Sequence, residues 1–316
     1  MKKFTSVQDI PDLGNAVKTA FDIKKNRFSF QKIGKNRTMV LIFFNPSLRT
    51  RLSTQKAAMN LGMNTMVINV DKDSWQLESE LGVVMDGNKP EHLLEAIPVI
   101  SNYCDLIGVR AFAGLQNRED DYSEKILNQF LKHASVPVIS MEGAIRHPLQ
   151  SFADLLTIEE YKKTKRPKVV LTWAPHPNAL PQAVANSFVE WMRKTDYELV
   201  VTHPEGYELS PEFVDGLTVE YDQRRAFEGA DFIYAKNWSS YSSYGEILSK
   251  DFGWRVDEEK MAVTNSARFM HCLPVRRNVV VTYGVLDSRS SIVVEQAANR
   301  EITAQTVIKM ILEDEL

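Results

Sequence analysis

Along the chain, short and almost uniformly apolar runs alternate with longer stretches in which apolar residues recur every three or four positions. Residues 38–44 are apolar at every position after Thr38, which predicts a strand covered on both faces. Further strands are predicted at 64–70, 105–109 and 136–140. Between them, residues 90–103 set Leu93, Ile97 and Ile100 on one helical face, with Pro90 in the first turn. A second series starts at 168–173 and continues through 198–202, 217–221, 231–234 and 267–273. Residues 181–194 and 222–229 read as the intervening helices. Such alternation predicts mainly parallel sheets flanked by helices. Two series predict two α/β domains, over 1–147 and 148–294. The helix beginning near Leu149, with Phe152, Leu155, Leu156 and Ile158 on its apolar face, links them. Residues 295–316 are expected to form a last helix that returns to the first domain.

Composition narrows the class. The 316 residues are 44% hydrophobic and 25% charged, with a formal net charge of −3, so the basic excess that marks a nucleic-acid partner is missing. The N-terminus turns polar before an apolar signal core forms. The longest apolar run, 39–44, falls far short of the roughly 20 residues that span a bilayer. These features predict a soluble, cytoplasmic protein with no membrane or nucleic-acid partner. Two cysteines, Cys104 and Cys272, are too few for a disulfide framework or a cysteine-rich zinc site. No His/Cys/Asp spacing suits a metal, so no metal is expected. No strand is followed by the glycine fingerprint of a dinucleotide fold, which argues against a nicotinamide oxidoreductase.

Three segments carry candidate chemistry. After the first strand, Asn45-Pro46 breaks the extended run, and Ser47 is placed to cap a helix. Free N–H groups then lie beside the hydroxyls of Ser47 and Thr50 and the guanidinium of Arg49, a phosphate site by construction. The second segment is His147-Pro-Leu-Gln150, whose imidazole and amide can donate to a carbonyl oxygen, with Asp154 four residues further as a structural partner. The third is His271-Cys-Leu-Pro274 at a strand end in the second series, where open α/β sheets bind ligands.

Taken in order, Ser47-x-Arg-Thr-Arg51, His147-Pro-x-Gln150 and His271-Cys-Leu-Pro274 resemble the signature motifs of the aspartate and ornithine carbamoyltransferases. Arg110 and Asn299-Arg300 fall where that family has functional arginines. The resemblance implies a carbamoyl-phosphate domain, an amino-acid domain and a catalytic homotrimer with shared active sites. It implies that Ser47, Leu48, Arg49 and Thr50 hold the phosphate of carbamoyl phosphate. Arg110, His147 and Gln150, with Thr50, would polarise its carbonyl, while Arg300 supports the site and Cys272 and Leu273 border it. An amine attacking that carbonyl builds negative charge on oxygen, and preorganised donors there lower the barrier. No organic cofactor is implied.

Departures from the ornithine enzymes cluster where the second substrate binds. Lys236 stands where they carry an aspartate that receives an α-ammonium; a lysine repels an ammonium and attracts a carboxylate. Residues 174–181 form a proline-rich loop containing His176 and keep only Asn178 of a paired-asparagine motif. Pro274 is followed by the basic pair Arg276-Arg277. The chain thus resembles the acylornithine branch of the family. In that branch the tryptophan matching Trp75 reaches a neighbouring subunit's carbamoyl-phosphate site, and the second domain holds a deep knot. Glu142 is expected to meet the δ-ammonium of the substrate. Pro90, where the acetyl enzymes resemble one another in carrying glutamate, removes a repulsion against a second carboxylate. The expected reaction is therefore carbamoyl transfer to the δ-amine of N2-succinyl-L-ornithine, giving N-succinylcitrulline and phosphate in arginine biosynthesis. N-acetylornithine as acceptor and a non-catalytic sensor of the same ligands are the alternatives.

Overall fold

The computed structural model describes residues 1–314; residues 315–316, the end of the expected last helix, lie outside the described residues. The chain divides into two compact units. One comprises Met1–Ala113, Glu119–Leu149 and Arg300–Leu316, the other Gly114–Arg118 and Gln150–Asn299. The helices Pro148–Tyr161 and Val293–Asp314 each contribute residues to both.

The first unit is built on β1 (Lys3–Phe4), β2 (Thr38–Phe43), β3 (Asn64–Asn69), β6 (Leu106–Arg110) and β7 (Val138–Glu142), in the order β1-β7-β6-β2-β3. Every pairing is parallel. The central strands are buried on both faces, as their unbroken apolar runs require. Val40, Ile42, Ile107 and Val138 pack with Leu93, Ile97 and Phe130 from the covering helices. A separate two-stranded ladder pairs β4 (Leu77–Glu78) with β5 (Glu91–His92).

That ladder corrects one expectation. The helix predicted from Pro90 begins at Leu93, because Glu91 and His92 are drawn into the ladder and His92 caps the helix, its Nδ1 accepting from the Leu94 N–H at 3.0 Å. The expectation also lacked the Leu13–Lys25 helix, capped by Asp12 and buried through Ala16, Ala20 and Ile23, and the edge strand β1. The Leu48–Asn60 helix ends in a left-handed Gly62 (φ 87°). Its N–H bonds Met59 O at 3.0 Å and that of Met63 bonds Ala58 O at 3.1 Å, a Schellman termination that needs glycine there.

The second unit repeats the plan with β8 (Lys168–Trp173), β9 (Glu198–Thr202), β10 (Thr218–Glu220), β11 (Phe232–Lys236) and β12 (Arg268–Met270). Its order is β10-β9-β8-β11-β12, again all parallel. Val170, Ile233 and Phe269 of the strands bury against Phe227, Val281 and Val285. Phe188 meets Tyr234 edge-on at 4.5 Å between centroids, a geometry that aromatic quadrupoles favour.

Candidate active site

In the first unit the ends of β2, β6 and β7 and the start of the next helices bring polar side chains together. Ser47 caps the Leu48–Asn60 helix, its Oγ accepting from the Thr50 N–H at 3.3 Å. The first-turn N–H groups thus face outward beside Leu48, Arg49 and Thr50, an arrangement that attracts an anion. Thr50 is buried, and its Oγ1 accepts from Arg300 Nη2 at 2.7 Å. Arg300 Nη2 also lies 3.4 Å from His147 Nε2. Arg110, at the end of β6, is buried and paired with Glu142 at the end of β7. A register shift between Val109 and Arg110 sets Arg110 opposite Glu142. The same carboxylate lies 3.3 Å from His147 Nε2.

The group is strongly positive. Burial, then the guanidiniums of Arg300 and Arg49, push Arg110 down to about 9. Glu142 pulls the other way, and a guanidinium keeps its proton at neutral pH in any case. One carboxylate facing three arginines and a histidine leaves a cationic excess suited to a dianion.

Trp75 and Pro90 are exposed. The Trp75 indole donates to Glu91 Oε2 at 2.8 Å, which holds the glutamate next to Pro90 outward on the ladder.

In the second unit Gln150 is buried, with Nε2 donating to Asp154 Oδ1 at 2.8 Å, and Gln296 donates to the same oxygen at 2.7 Å. Asp154 is thus the structural partner expected of it. The amide nitrogen of Gln150 has a second hydrogen to offer. Buried Cys272 follows β12, and Leu273 is left-handed (φ 58°) before a cis bond to Pro274. Burial, then the Asp154 carboxylate and the Cys272 thiol, hold the Tyr234 phenol well above its ordinary value.

Lys236 ends β11, and its side chain is buried with no carboxylate within ion-pair distance among the described residues. Near it, His176 Nδ1 lies 2.7 Å from Asn178 O, so it donates there, and Nε2 accepts from Arg276 Nε at 3.1 Å. This neutral tautomer agrees with a pKa lowered by burial and further by Arg276 and Lys236. Arg277 differs from Arg276: both its Nη atoms grip Asp287 at 2.7 Å. Of the three cations expected here, Arg277 is already neutralised, which leaves Lys236 and Arg276. His176 and Arg276 line a cavity of about 230 Å³ together with Pro175, Lys250 and Phe252. Lys250 and Phe252 had no signal in the sequence pattern, since they lie outside every motif.

Family models match both parts of the chain. Residues 2–160 match the aspartate/ornithine carbamoyltransferase carbamoyl-P binding domain, and residues 181–311 the Asp/Orn binding domain. The chain is 65% identical to an N-succinylornithine carbamoyltransferase of Bacteroides fragilis, over 99% of each chain. It is 37% identical to an N-acetylornithine carbamoyltransferase of Xanthomonas campestris pv. campestris, over 95% of this chain and 94% of that one. Among solved structures it resembles an N-acetyl-L-ornithine transcarbamylase variant in which a glutamate is replaced by proline, complexed with carbamyl phosphate and N-succinyl-L-norvaline. There the TM-score is 0.93 at 36% identity, covering 98% of this chain and all of that one.

Proposed function

Because the chain belongs to the aspartate/ornithine carbamoyltransferase family, we propose that it transfers the carbamoyl group of carbamoyl phosphate to the δ-amine of N2-succinyl-L-ornithine, releasing N-succinylcitrulline and phosphate. The observation that carries the reading is the convergence of Thr50, Arg110, His147 and Arg300 in one cationic group. The succinyl choice rests on the 65% identity to a named succinylornithine enzyme, against 37% for an acetylornithine one.

In the proposed mechanism Ser47, Leu48, Arg49 and Thr50 hold the phosphate through helix N–H groups, a hydroxyl and a guanidinium. Arg110, His147 and one hydrogen of Gln150 polarise the carbonyl, and Arg300 steadies Thr50 and His147. Negative charge that develops on the carbonyl oxygen then meets donors already oriented. The δ-ammonium bound at Glu142 must lose one proton to solvent before it can attack, against an unperturbed pKa near the lysine value of about 10.4; the departing phosphate accepts the second proton, released from nitrogen as the C–N bond forms. Cys272 and Leu273 border the carbonyl and position it. Glu142 receives the δ-ammonium; Lys236, Asn178 and Arg276 hold the two carboxylates of the acylated amino acid, while His176 orients Arg276 and Pro274 shapes the pocket wall. In this reading residues 1–147 with the returning helix form the carbamoyl-phosphate domain and residues 148–294 the acylornithine domain.

The active assembly is proposed to be a homotrimer in which Trp75 completes a neighbour's site. Leu48, Leu52 and Met59 leave an apolar face of one helix exposed, next to Met66 on the edge strand β3. Such a surface is costly in a monomer.

Steady-state rates with N-succinyl-, N-acetyl- and free L-ornithine test the reading. The succinyl compound should give the highest kcat/KM. Preference for the acetyl compound overturns the acyl assignment, and preference for free ornithine overturns the role of Lys236.

A further inference from the structure

The turn that joins β7 to the next helix, Gly143 to His147, carries Glu142 at one end and His147 at the other. It is closed by the Gly143 N–H on Arg146 O at 2.8 Å. Glu142 is tied to β6 as well, its carbonyl accepting from the Ala111 N–H at 3.0 Å. A further hold on the turn comes from outside it. Glu124 Oε1 accepts from the Ile145 N–H at 3.1 Å.

Three local anomalies meet at this contact. Glu124 is left-handed (φ 43°, ψ 40°), an uncommon conformation for a residue with a Cβ. It occupies the cap position of the Lys125–His133 helix, yet its carboxylate makes no capping bond to that helix, although the helix dipole favours a negative group there. A Cβ placed on Gly143 would lie 2.2 Å from Glu124 Oε1, so a larger residue there must push that oxygen aside. The strained backbone, the forgone cap and the missing side chain share one result: a carboxylate pressed onto the turn.

We propose that Glu124 is a positioning residue for carbamoyl transfer. Through Ile145 it fixes the turn that presents Glu142 to Arg110 and His147 to Arg300. Burial raises the Glu124 carboxyl above its ordinary value, and the turn's N–H groups and Arg146 offset this only in part. What the Ile145 N–H requires is an acceptor oxygen. A glutamine supplies that oxygen.

The proposal rests on the carbamoyltransferase reading, and its test separates the two. Variants Glu124→Ala, Glu124→Gln and Gly143→Ala are compared for kcat and KM with N-succinyl-L-ornithine and for amide hydrogen exchange across residues 142–148. Glu124→Ala should lose about 10-fold or more in kcat with KM for the acceptor within about 3-fold, and should lose exchange protection at Ile145. Glu124→Gln should recover most of both. Gly143→Ala, which displaces the carboxylate without removing it, should mimic Glu124→Ala, and the double variant Glu124→Ala/Gly143→Ala should be no worse than either single. A folded Glu124→Ala protein with wild-type kcat overturns the proposal, as do additive losses or a Gln variant as damaged as the Ala variant. Wild-type protein that carbamoylates no ornithine derivative refutes the function instead. Unchanged Ile145 exchange in Glu124→Ala then still overturns the positioning role, and lost protection that Gln restores supports it.

Discussion

Replacing Glu142 by glutamine should weaken the protein and strengthen its hold on carbamoyl phosphate at the same time. The Arg110 and Glu142 side chains are only 10% and 13% exposed, so their attraction is poorly screened. Near 4 Å, at an effective dielectric of 20, a pair of unit charges is worth about 4 kcal/mol. Breaking a buried pair costs about 3–5 kcal/mol because the surviving charge is left uncompensated. Glutamine keeps an acceptor oxygen worth about 1 kcal/mol, which puts the net loss at about 2–4 kcal/mol. Spread over the unfolding entropy of a domain of this size, that loss lowers Tm by roughly 5–12 °C. Arg49, Arg110 and Arg300 then face one another without the carboxylate, and a dianionic ligand relieves their repulsion. Carbamoyl-phosphate affinity should rise about tenfold, the equivalent of about 1.4 kcal/mol. Thermal unfolding with and without carbamoyl phosphate reads both effects: a lower Tm for the free variant and a larger ligand-induced rise than in the wild type. Transfer to the acceptor should slow, since the δ-ammonium loses its partner. Equal melting temperatures and an equal ligand-induced rise would show that the Glu142 carboxylate contributes nothing to this group, and the electrostatic reasoning would fail.

Three further outcomes are expected. Pro90→Glu should lower kcat/KM for N-succinylornithine at least tenfold relative to N-acetylornithine, because in the proposed site it sets a carboxylate near the acyl terminus; an unchanged ratio removes Pro90 from the specificity of the site. His176, whose folded pKa lies below the ordinary 6.5, should remain neutral from pH 7 to 8.5, so KM for the acceptor should be flat there. The sign is that of a depressed base: its contribution is complete above the ordinary value and is lost as pH falls through the folded one. A KM inflection above pH 7 would contradict it. Mixing unfolded Trp75→Ala and Arg49→Ala subunits and refolding them together should restore activity to about a quarter of the sites by random assortment in a cyclic trimer, and no recovery argues against a shared site.

The parts of the fold legible in the sequence were those with a strong periodic signal. Residues 38–44 have no polar alternation, and Thr38–Phe43 form a strand inside a sheet, between β6 and β3; the strand predicted at 168–173 is observed as Lys168–Trp173. The helix at Leu13–Lys25 was missed because alanines at 16 and 20 carry much of its buried face, and alanine gives a weak hydrophobic signal. Pro90 misled because a proline near a helix start reads as its first turn, whereas a two-residue ladder claimed Glu91 and His92. In the site, motifs far apart in sequence converge, Arg300 on Thr50 across 250 positions. Which charges neutralise which was not legible. Arg277 on Asp287 and Glu142 on Arg110 depend on loop closure and on a strand irregularity that no repeat encodes. Glu124 was invisible for the same reason, since its partner is a backbone N–H that every sequence possesses.

The unit that holds Thr50, Arg110 and His147 is discontinuous, and its closing piece is the last to be made. Arg300 arrives only after the whole of Gln150–Asn299 has been synthesised, at roughly 5–20 residues per second a delay on the order of ten seconds. The same returning segment supplies Glu301 and Gln305, which accept from Asn60 Nδ2 at 2.8 and 3.2 Å, and Gln305 also donates to Arg27 O at 2.6 Å. A nascent chain ending anywhere before residue 300 therefore has the Leu48–Asn60 helix but not the guanidinium that bonds its Thr50. Folding of this unit is obliged to wait for the ribosome to finish the other. A chain stalled or cleaved before residue 300 would leave the Leu48–Asn60 helix without Arg300, Glu301 and Gln305, a species for chaperones rather than for catalysis.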